Sequence, residues 1–217
     1  MSCEPLAAAI QEGCIALDLH LEPAVVQKLC RFVELLEKWN RVYNLTSVRD
    51  PQAMVTRHIL DSLAVMPFLT TGRLLDVGTG AGLPGLPIAL VRTDLSVTLL
   101  DSNAKKLRFV RQAVAELGVE NVEIIHQRLE RYRPAQAFDM VISRAVSSLR
   151  ELYDQTSRLV KPGGRFLIMK GARPNAEIEA FMPGRGLRVE TLQVPGLEAE
   201  RHLLWCEKRP ESGSISV

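Results

Sequence analysis

A glycine-rich turn between two carboxylates is the segment of this chain best suited to chemistry. The apolar run Leu74–Val77 contains Asp76, and a second apolar run, Val97–Leu100, is followed directly by Asp101. Three glycines at alternate positions form the turn after the first run: Gly78, Gly80 and Gly82. Glycines allow a sharp turn and let a ligand approach bare backbone. Asp101 can accept hydrogen bonds from both hydroxyls of a ribose, so the pattern predicts a nucleoside pocket at the carboxyl ends of parallel strands.

Two classes of nucleoside cofactor are compatible with this turn. Gly80, Gly82 and Gly85 fit the G-x-G-x-x-G spacing of dinucleotide-binding proteins. Asp76 argues against a dinucleotide, because a carboxylate beside the turn would repel an anionic pyrophosphate. S-adenosylmethionine (AdoMet) has no phosphate and carries an ammonium and a sulfonium, which Asp76 would suit. The residues favour AdoMet, with a dinucleotide and a ligand-free turn as open alternatives.

Further candidate ligand contacts follow the third and fourth predicted strands. Glu130 could accept from an adenine amino group while Leu129 lies on the ring, although a surface helix start explains the pair equally well. Arg144 follows the fourth strand and could hold a cofactor carboxylate or an RNA phosphate. Lys170 follows the fifth strand and Arg201 precedes the last, so we expect both to contact RNA together with Arg144.

The sequence predicts no catalytic side chain. It lacks the D/N-P-P-Y type of loop that accepts protons from an exocyclic amine, and no cysteine lies near the predicted pocket. An acceptor atom with a free lone pair, such as guanine N7 or a carboxylate, needs positioning more than proton transfer. His58 is expected to be a hydrogen-bonded packing residue, and Trp39 and Tyr43 are expected in the core rather than stacked on bases.

Strands and helices alternate after Arg73, which predicts a doubly wound parallel α/β sheet. The predicted strands are Arg73–Val77, Val97–Asp101, Val122–His126, Met140–Ser143 and Arg165–Lys170, and the predicted helices are Pro84–Arg92, Asn103–Leu117 and Ser148–Leu159. A turn is expected at residues 161–164. A last pair, Leu187–Val194 and His202–Glu207, is expected to add an antiparallel edge hairpin. Helical spacing dominates residues 1–65, with a break at residues 44–47 and a new start at Asp50.

Composition excludes several other classes of protein. The chain has 217 residues with a formal net charge of +2, and its basic side chains concentrate after residue 100. The four cysteines form no C-x-x-C pair, so we expect reduced thiols and no metal site. No signal peptide or apolar run of roughly eighteen residues is visible. We therefore expect a cytoplasmic protein that is not bound to a membrane.

Several longer motifs resemble the bacterial small-subunit rRNA guanine-N7 methyltransferase family, known as RsmG or GidB. The resemblance covers about residues 25–207 and is carried by these segments: Lys38-Trp39-Asn40, Tyr43-Asn44-Leu45-Thr46, Arg57-His58-Ile59-Leu60-Asp61-Ser62, Asp76–Gly85, Leu100-Asp101-Ser102, Ile142-Ser143-Arg144-Ala145, Lys170-Gly171 and Glu200-Arg201-His202-Leu203. The N-terminal motifs are not shared by methyltransferases at large. Ala81 stands where the family often has proline.

The resemblance implies a class I AdoMet-dependent fold, with Rossmann-like topology, and methylation of one guanine at N7 in 16S rRNA, free or in an assembly particle. It places cofactor contacts at Gly78, Leu83, Asp101, Leu129, Glu130 and Arg144, to which the turn adds Gly80 and Gly82. We expect a helical segment at 1–65, a methyltransferase domain at 66–208, a disordered tail at 209–217, and a monomer. The alternatives are a methyltransferase acting on a small molecule or protein, and a nucleotide-binding regulator without catalysis.

Overall fold

The computed structural model of the chain describes residues 4–144, 148–181 and 186–209. Most of the predicted tail, residues 210–217, lies outside this part of the chain, as does Ala145 of the fourth-strand motif. The α-helices are α1 (Glu4–Ala16), α2 (Pro23–Tyr43), α3 (Pro51–Met54), α4 (Asp61–Leu63), α5 (Gly85–Val91), α6 (Ala104–Leu117), α7 (Leu149–Thr156) and α8 (Asn175–Ala180). None of these helices is long and apolar enough to cross a membrane.

A seven-stranded sheet forms the centre of the fold. Its strands are β1 (Gly72–Val77), β2 (Leu95–Asp101), β3 (Val122–His126), β4 (Phe138–Arg144), β5 (Val160–Lys170), β6 (Arg188–Thr191) and β7 (His202–Glu207). Their order is β3-β2-β1-β4-β5-β7-β6. The first five strands are parallel, and β7 runs antiparallel to both β5 and β6. The predicted doubly wound sheet and its antiparallel edge hairpin are both confirmed.

Alternate residues of the strands enter two separate apolar cores. Leu74 of β1 packs with the N-terminal helices and with α5 and α6, whereas its neighbour Leu75 packs on the opposite face with α7 and α8. Met140 and Val141 of β4 divide in the same way. Both faces of the sheet are therefore covered, as a parallel sheet requires.

The long N-terminal helix is bounded where its sequence indicates. Pro23 occupies the first turn of α2, and Asn44 ends the helix in the left-handed conformation with φ 49°. Leu29, Phe32 and Leu36 lie on its buried face. The Asn40 side chain donates to the Val48 carbonyl at 3.0 Å and accepts from the Thr46 amide at 2.9 Å. These two bonds fix the segment after α2 against its last turn.

The second predicted N-terminal helix is not uniformly α-helical. Asp50 caps α3 by accepting from the Ala53 amide at 2.7 Å. Residues Val55–Leu60 then form a π-helical turn before α4 continues the same rod. Wider turns of this kind are frequent at functional sites because they redirect side chains. Here the turn carries His58.

The fifth strand begins earlier than predicted. The expected turn at residues 161–164 lies within β5, where the pairing with β4 shifts between Phe138 and Met140. Gly163, with φ 77°, and Gly164 pair there with Lys208. The predicted start at Arg165 was wrong because this irregular segment keeps hydrogen-bond partners in the sheet.

Candidate functional site

The glycine turn joins β1 to α5 and is tied to the next strand. Gly78 and Thr79 both donate their amides to the Leu100 carbonyl, at 2.8 and 3.1 Å. Gly78, Gly80 and Gly82 have φ values of 70°, 57° and 83°, a backbone region that other residues rarely adopt. The alternate spacing of the glycines thus reflects a repeated left-handed turn of the chain.

The last glycine of the motif serves close packing. A Cβ at Gly85 would collide with Leu99 and would lie 2.8 Å from the Asp76 carboxylate. Only a glycine therefore lets the first turn of α5 approach β1 and β2 so closely. This is the helix–strand packing role of the third glycine in a G-x-G-x-x-G sequence.

Asp76 lies beneath the turn rather than on its surface. Its side chain is fully buried, and Oδ2 accepts from the Thr79 hydroxyl at 2.6 Å and from the Gly85 amide at 2.9 Å. Its Oδ1 atom is buried without a hydrogen-bond partner among the described residues. Burial raises the pKa of this carboxyl to about 6. The expectation that Asp76, beside the turn, would suit the cations of AdoMet is therefore corrected: the residue is buried and holds the turn together from inside.

A cavity of about 180 Å³ opens at the carboxyl ends of β1 and β2, and we call it the nucleoside cavity. Its lining comprises Val77, Gly78, Leu100, Asp101, Ser102, Gln127, Arg128, Leu129, Glu130 and Gln155. Asp101 accepts from the Gly80 amide at 2.7 Å through Oδ2 and from the Asn103 amide at 2.7 Å through Oδ1. A carboxylate offers about four acceptor positions. The two that these amides leave suit a pair of vicinal hydroxyls.

The predicted cofactor residues fall into four groups. Gly78, Asp101, Leu129 and Glu130 line the nucleoside cavity together, the last two from a short 3-10 helix, Leu129–Arg131. Gly80 contacts the cavity's carboxylate through its amide. Gly82 and Leu83 are buried behind the turn and do not line the cavity. Arg144 lines a different cavity.

This second cavity, of about 360 Å³, lies at the carboxyl ends of β4 and β5, and we call it the basic cavity. Its lining comprises Ser47, Val48, Arg57, His58, Asp61, Arg144, Met169, Lys170, Gly171 and Arg201. The lining contains four basic side chains and one carboxylate, so its field favours an anion. The three predicted RNA contacts, Arg144, Lys170 and Arg201, are thus brought together. Lys170 is ion-paired with Glu177 of α8 at 3.1 Å.

The two cavities are neighbours at the carboxyl ends of the central parallel strands. β1 and β4 are adjacent strands, yet β1 leads toward β2 on one side and β4 toward β5 on the other. This reversal of strand order is where open α/β sheets bind ligands. The arrangement can hold a nucleoside beside a second, anionic reactant.

His58 is buried in the wall of the basic cavity with both ring nitrogens occupied. Nδ1 lies 2.8 Å from the Arg57 carbonyl oxygen and Nε2 lies 2.9 Å from the Thr46 hydroxyl. Burial, reinforced by the charge of Arg144, lowers the pKa of His58 to about 4. The ring is therefore neutral at physiological pH, and its contacts are those of the packing residue that the sequence predicted.

The basic cavity also contains residues that sequence reasoning did not select. Asp61 stands between Arg144 and Arg201 at hydrogen-bonding distance from both, and Arg57 and Val48 complete the wall. A carboxylate between the apolar residues Leu60 and Leu63 was the available signal for Asp61. Tyr43 also differs from its predicted core position: it is 44% exposed and stacks on Trp39 at 5.1 Å between ring centroids.

The described residues contain no group of three or more His, Cys, Asp or Glu side chains that could hold a metal ion. Asp101 and Glu130 lie at the nucleoside cavity and Asp61 at the basic cavity. Asp101 contacts a backbone amide, Asp61 contacts arginines and Glu130 is exposed to solvent, so these carboxylates do not converge on one point.

Comparison with known sequences gives one family. The family described as rRNA small subunit methyltransferase G (GidB) matches residues 25–204. The chain is 47% identical over 205 residues to "Ribosomal RNA small subunit methyltransferase G" of Alkalilimnicola ehrlichii, covering 94% of this chain and 93% of that protein. It is 50% identical over 210 residues to the protein of the same name from Aromatoleum aromaticum, covering 93% and 99%.

Comparison with solved structures gives the fold. The N-methyltransferase NodS of Bradyrhizobium japonicum, solved with S-adenosyl-L-homocysteine, superposes with a TM-score of 0.53 at 13% identity, over 81% of this chain and 99% of that one. TrmN of Thermus thermophilus superposes with a TM-score of 0.54 at 22% identity, over 70% of this chain and 53% of that one. The sheet described above is thus the fold that these methyltransferases share.

Proposed function

The chain belongs to the rRNA small subunit methyltransferase G family, and from this premise we propose that it transfers a methyl group from AdoMet to N7 of a guanine in 16S rRNA. The family supplies the class of reaction, the cofactor and the RNA. One observation supports a mechanism for this transfer: the basic cavity at the ends of β4 and β5 neighbours the nucleoside cavity at the ends of β1 and β2, so the two reactants could bind next to each other.

The nucleoside cavity fits the cofactor on the chemistry of its donors and acceptors. Asp101 would hold the ribose hydroxyls with the acceptor positions that its two backbone contacts leave. Leu129 would lie against the adenine, and Glu130 would accept from its amino group. Gly78 is exposed at the cavity and allows close approach to the backbone. When bound, the cofactor supplies an electrophilic methyl group on a sulfonium.

We propose that the basic cavity receives the target nucleotide. Arg144 and Arg201 can pair with phosphate or with base acceptors, because a guanidinium offers several N–H donors in a planar fork. Lys170 adds a point charge at the same edge. These contacts would orient one base toward the neighbouring cavity, which is the step that such a transfer chiefly requires.

Two features support N7 as the acceptor atom. Guanine N7 has a free lone pair and loses no proton on methylation, so no general base is needed. The histidine of the basic cavity, His58, is neutral with both nitrogens hydrogen-bonded inside the protein. A chain built for an acceptor that must lose a proton would be expected to present a free base there.

The decisive experiment is transfer of a tritiated methyl group to small-subunit RNA from a strain that lacks the gene. We expect label in 16S rRNA, and chain cleavage specific for N7-methylguanine maps it to one nucleotide. Label in a small-molecule or protein fraction would favour another methyltransferase activity, and AdoMet binding without label would favour a regulator. Parallel reactions with naked RNA and with assembly particles identify the true substrate.

We further infer that the protein acts as a cytoplasmic monomer, since its substrate is ribosomal RNA and neither cavity needs a residue from a second copy to complete the contacts proposed above. Few large apolar side chains are exposed in the described part of the chain: Ile15, and the neighbours Val42 and Tyr43 at the end of α2. Sedimentation at micromolar concentration should give a mass near 24.1 kDa. A stable dimer would contradict this inference.

A further inference from the structure

One buried carboxylate holds two arginines of the basic cavity. Asp61 Oδ1 accepts from Arg201 Nε at 2.7 Å, and its Oδ2 accepts from Arg144 Nη1 at 3.1 Å. The Asp61 side chain is only 3% exposed. The two arginine side chains are 22% and 23% exposed, so their guanidinium groups reach the cavity from a buried anchor.

The three residues come from distant parts of the chain. Asp61 begins α4, Arg144 ends β4, and Arg201 immediately precedes β7. Backbone carbonyls add to each anchor: Arg144 Nη1 also donates to Arg57 at 3.2 Å, and Arg201 Nη1 donates to Glu200 at 2.8 Å. Each guanidinium is therefore held at two points.

These contacts leave part of each guanidinium for a ligand. Toward the described residues, Arg144 donates only from Nη1, so its Nε and Nη2 donors remain for a ligand. Arg201 donates to them from Nε and one Nη1 N–H, so its other Nη1 N–H and its Nη2 donors remain. If Asp61 only neutralised the positive charge of the cavity, it would weaken the binding of an anionic ligand there. Its placement behind both arginines instead fixes where their remaining donors point.

We propose that Asp61 is a positioning residue for the transfer reaction: it orients Arg144 and Arg201 so that they present the target nucleotide to the cofactor. This proposal rests on the proposed function above. Asp61 itself would contact neither the cofactor nor the reacting atoms, since it acts through the two guanidinium groups.

The variant Asp61→Asn tests the role of Asp61, because the lost positioning and the changed charge should affect different measurements. Asparagine keeps the volume and one acceptor oxygen, but its amide N–H₂ would face an arginine donor and cannot accept from it. At least one guanidinium is then released, while the cavity gains a unit of net positive charge. We therefore expect slower transfer without weaker RNA binding, because removing the carboxylate increases the attraction for phosphate.

The measurements are the single-turnover rate at saturating AdoMet and RNA, the RNA Kd, the AdoMet Kd and the melting temperature. For Asp61→Asn we expect the rate to fall about 10- to 100-fold, as an ångström-scale misplacement costs, with the RNA Kd no more than about twofold weaker. Asp94→Asn is the matched control. It breaks an arginine–carboxylate pair, with Arg92 at 2.7 Å, at the opposite end of β2, and should leave the rate unchanged.

A double-mutant cycle tests whether Asp61 acts through its partner. In an Arg201→Gln background, Asp61→Asn should cost at least about threefold less in rate than it does in the wild-type protein, because one of the groups it positions is gone. This pair also removes one negative and one positive charge together. If Asp61→Asn alone fails to fold, the double variant is compared with Arg201→Gln instead: its rate should be lower at an unchanged RNA Kd, because Asp61 still positions Arg144 there, and an equal rate would overturn the role of Asp61.

The outcomes distinguish the two proposals. A wild-type protein that labels no RNA overturns the proposed function, and the role of Asp61 falls with it. An active wild-type protein with an Asp61→Asn rate within about twofold of it, or an equal loss in both arms of the cycle, overturns the role of Asp61 alone. A loss of rate that only follows a loss of RNA or AdoMet binding would likewise show that Asp61 is not a positioning residue.

Discussion

The buried carboxyl beneath the glycine turn gives a quantitative prediction for stability. Asp76 is fully buried, accepts two hydrogen bonds through Oδ2 and has a pKa raised to about 6. Its ordinary value is 3.8. The folded protein therefore holds the Asp76 proton more tightly than the unfolded chain does, and stability contributed by this proton is lost as pH rises through the folded pKa.

The size of this effect follows from the shift. A rise of about two pKa units corresponds to about 3 kcal/mol of unfolding free energy, lost progressively between about pH 4 and 6. Asp76→Asn removes the titration but keeps an acceptor for Thr79 and Gly85. We expect the stability difference, variant minus wild type, to grow by up to about 3 kcal/mol between pH 4 and 7.5.

His58 changes the wild-type profile in the opposite direction. Its folded pKa of about 4 lies below its ordinary value of 6.5, so the unfolded chain binds the proton more tightly. The stability that the neutral ring contributes is present above pH 6.5 and is lost as pH falls toward 4. The wild-type curve is therefore a sum of opposing terms, and only the difference between the Asp76 variant and the wild type isolates one carboxyl.

Urea unfolding at several pH values between about 4 and 7.5, without cofactor, measures this difference. Asp94→Asn is the control: Asp94 is exposed and Arg92 lowers its pKa, so its difference from wild type should not grow in the same direction. If the free energies of unfolding of Asp76→Asn and the wild type ran parallel across the whole pH range, burial would not raise the pKa of the Asp76 carboxyl and the reasoning would be refuted.

Three further predictions concern the two cavities. Asp101→Ala should weaken AdoMet binding by roughly 1–3 kcal/mol, the cost of losing a charged hydrogen-bonding group; calorimetry showing an unchanged Kd, or binding of NAD(H) there, would remove Asp101 from the cofactor site. The single-turnover rate should be nearly flat from about pH 6 to 9, because His58 is neutral throughout; a steep rise near pH 7 that His58→Gln abolished would make it a base. Replacing Lys170 and Arg201 together by glutamine should weaken RNA binding and flatten its salt slope by about 1.5 units, with AdoMet affinity unchanged. Normal RNA binding at every salt concentration would place the RNA surface elsewhere.

Local sequence patterns predicted most of the sheet. The strand after Arg73, the strand ending at Asp101 and the edge hairpin all depend on the alternation and clustering of apolar residues, and the structure confirms them. The predicted helix Asn103–Leu117 is also confirmed as α6: Asn103 accepts from two amides at its start, and Gly118 ends it. The chemistry of these signals lies within a few residues along the chain.

The burial of individual side chains could not be predicted from such local patterns. Asp76 was expected to suit the cations of AdoMet because it stands next to a glycine turn, yet the same turn and the first residue of α5 cover it from solvent. Tyr43 fitted a core position by helical spacing, yet it lies in the last turn of α2, where no other element covers it fully. Periodicity gives the face of a helix but does not say how far the neighbouring layer extends.

The sequence alone therefore determined the layered α/β fold, the glycine turn with Asp101 beside it, and the basic residues that follow the strands, because each depends on short-range patterns. Only the tertiary structure decided that Arg144 belongs to the basic cavity rather than to the nucleoside cavity, and that Asp61 joins it to Arg201. Those contacts connect residues 83 and 140 positions apart. Side chains so distant along the chain meet only after the N-terminal helices have packed on the sheet and buried the carboxylate between two cations.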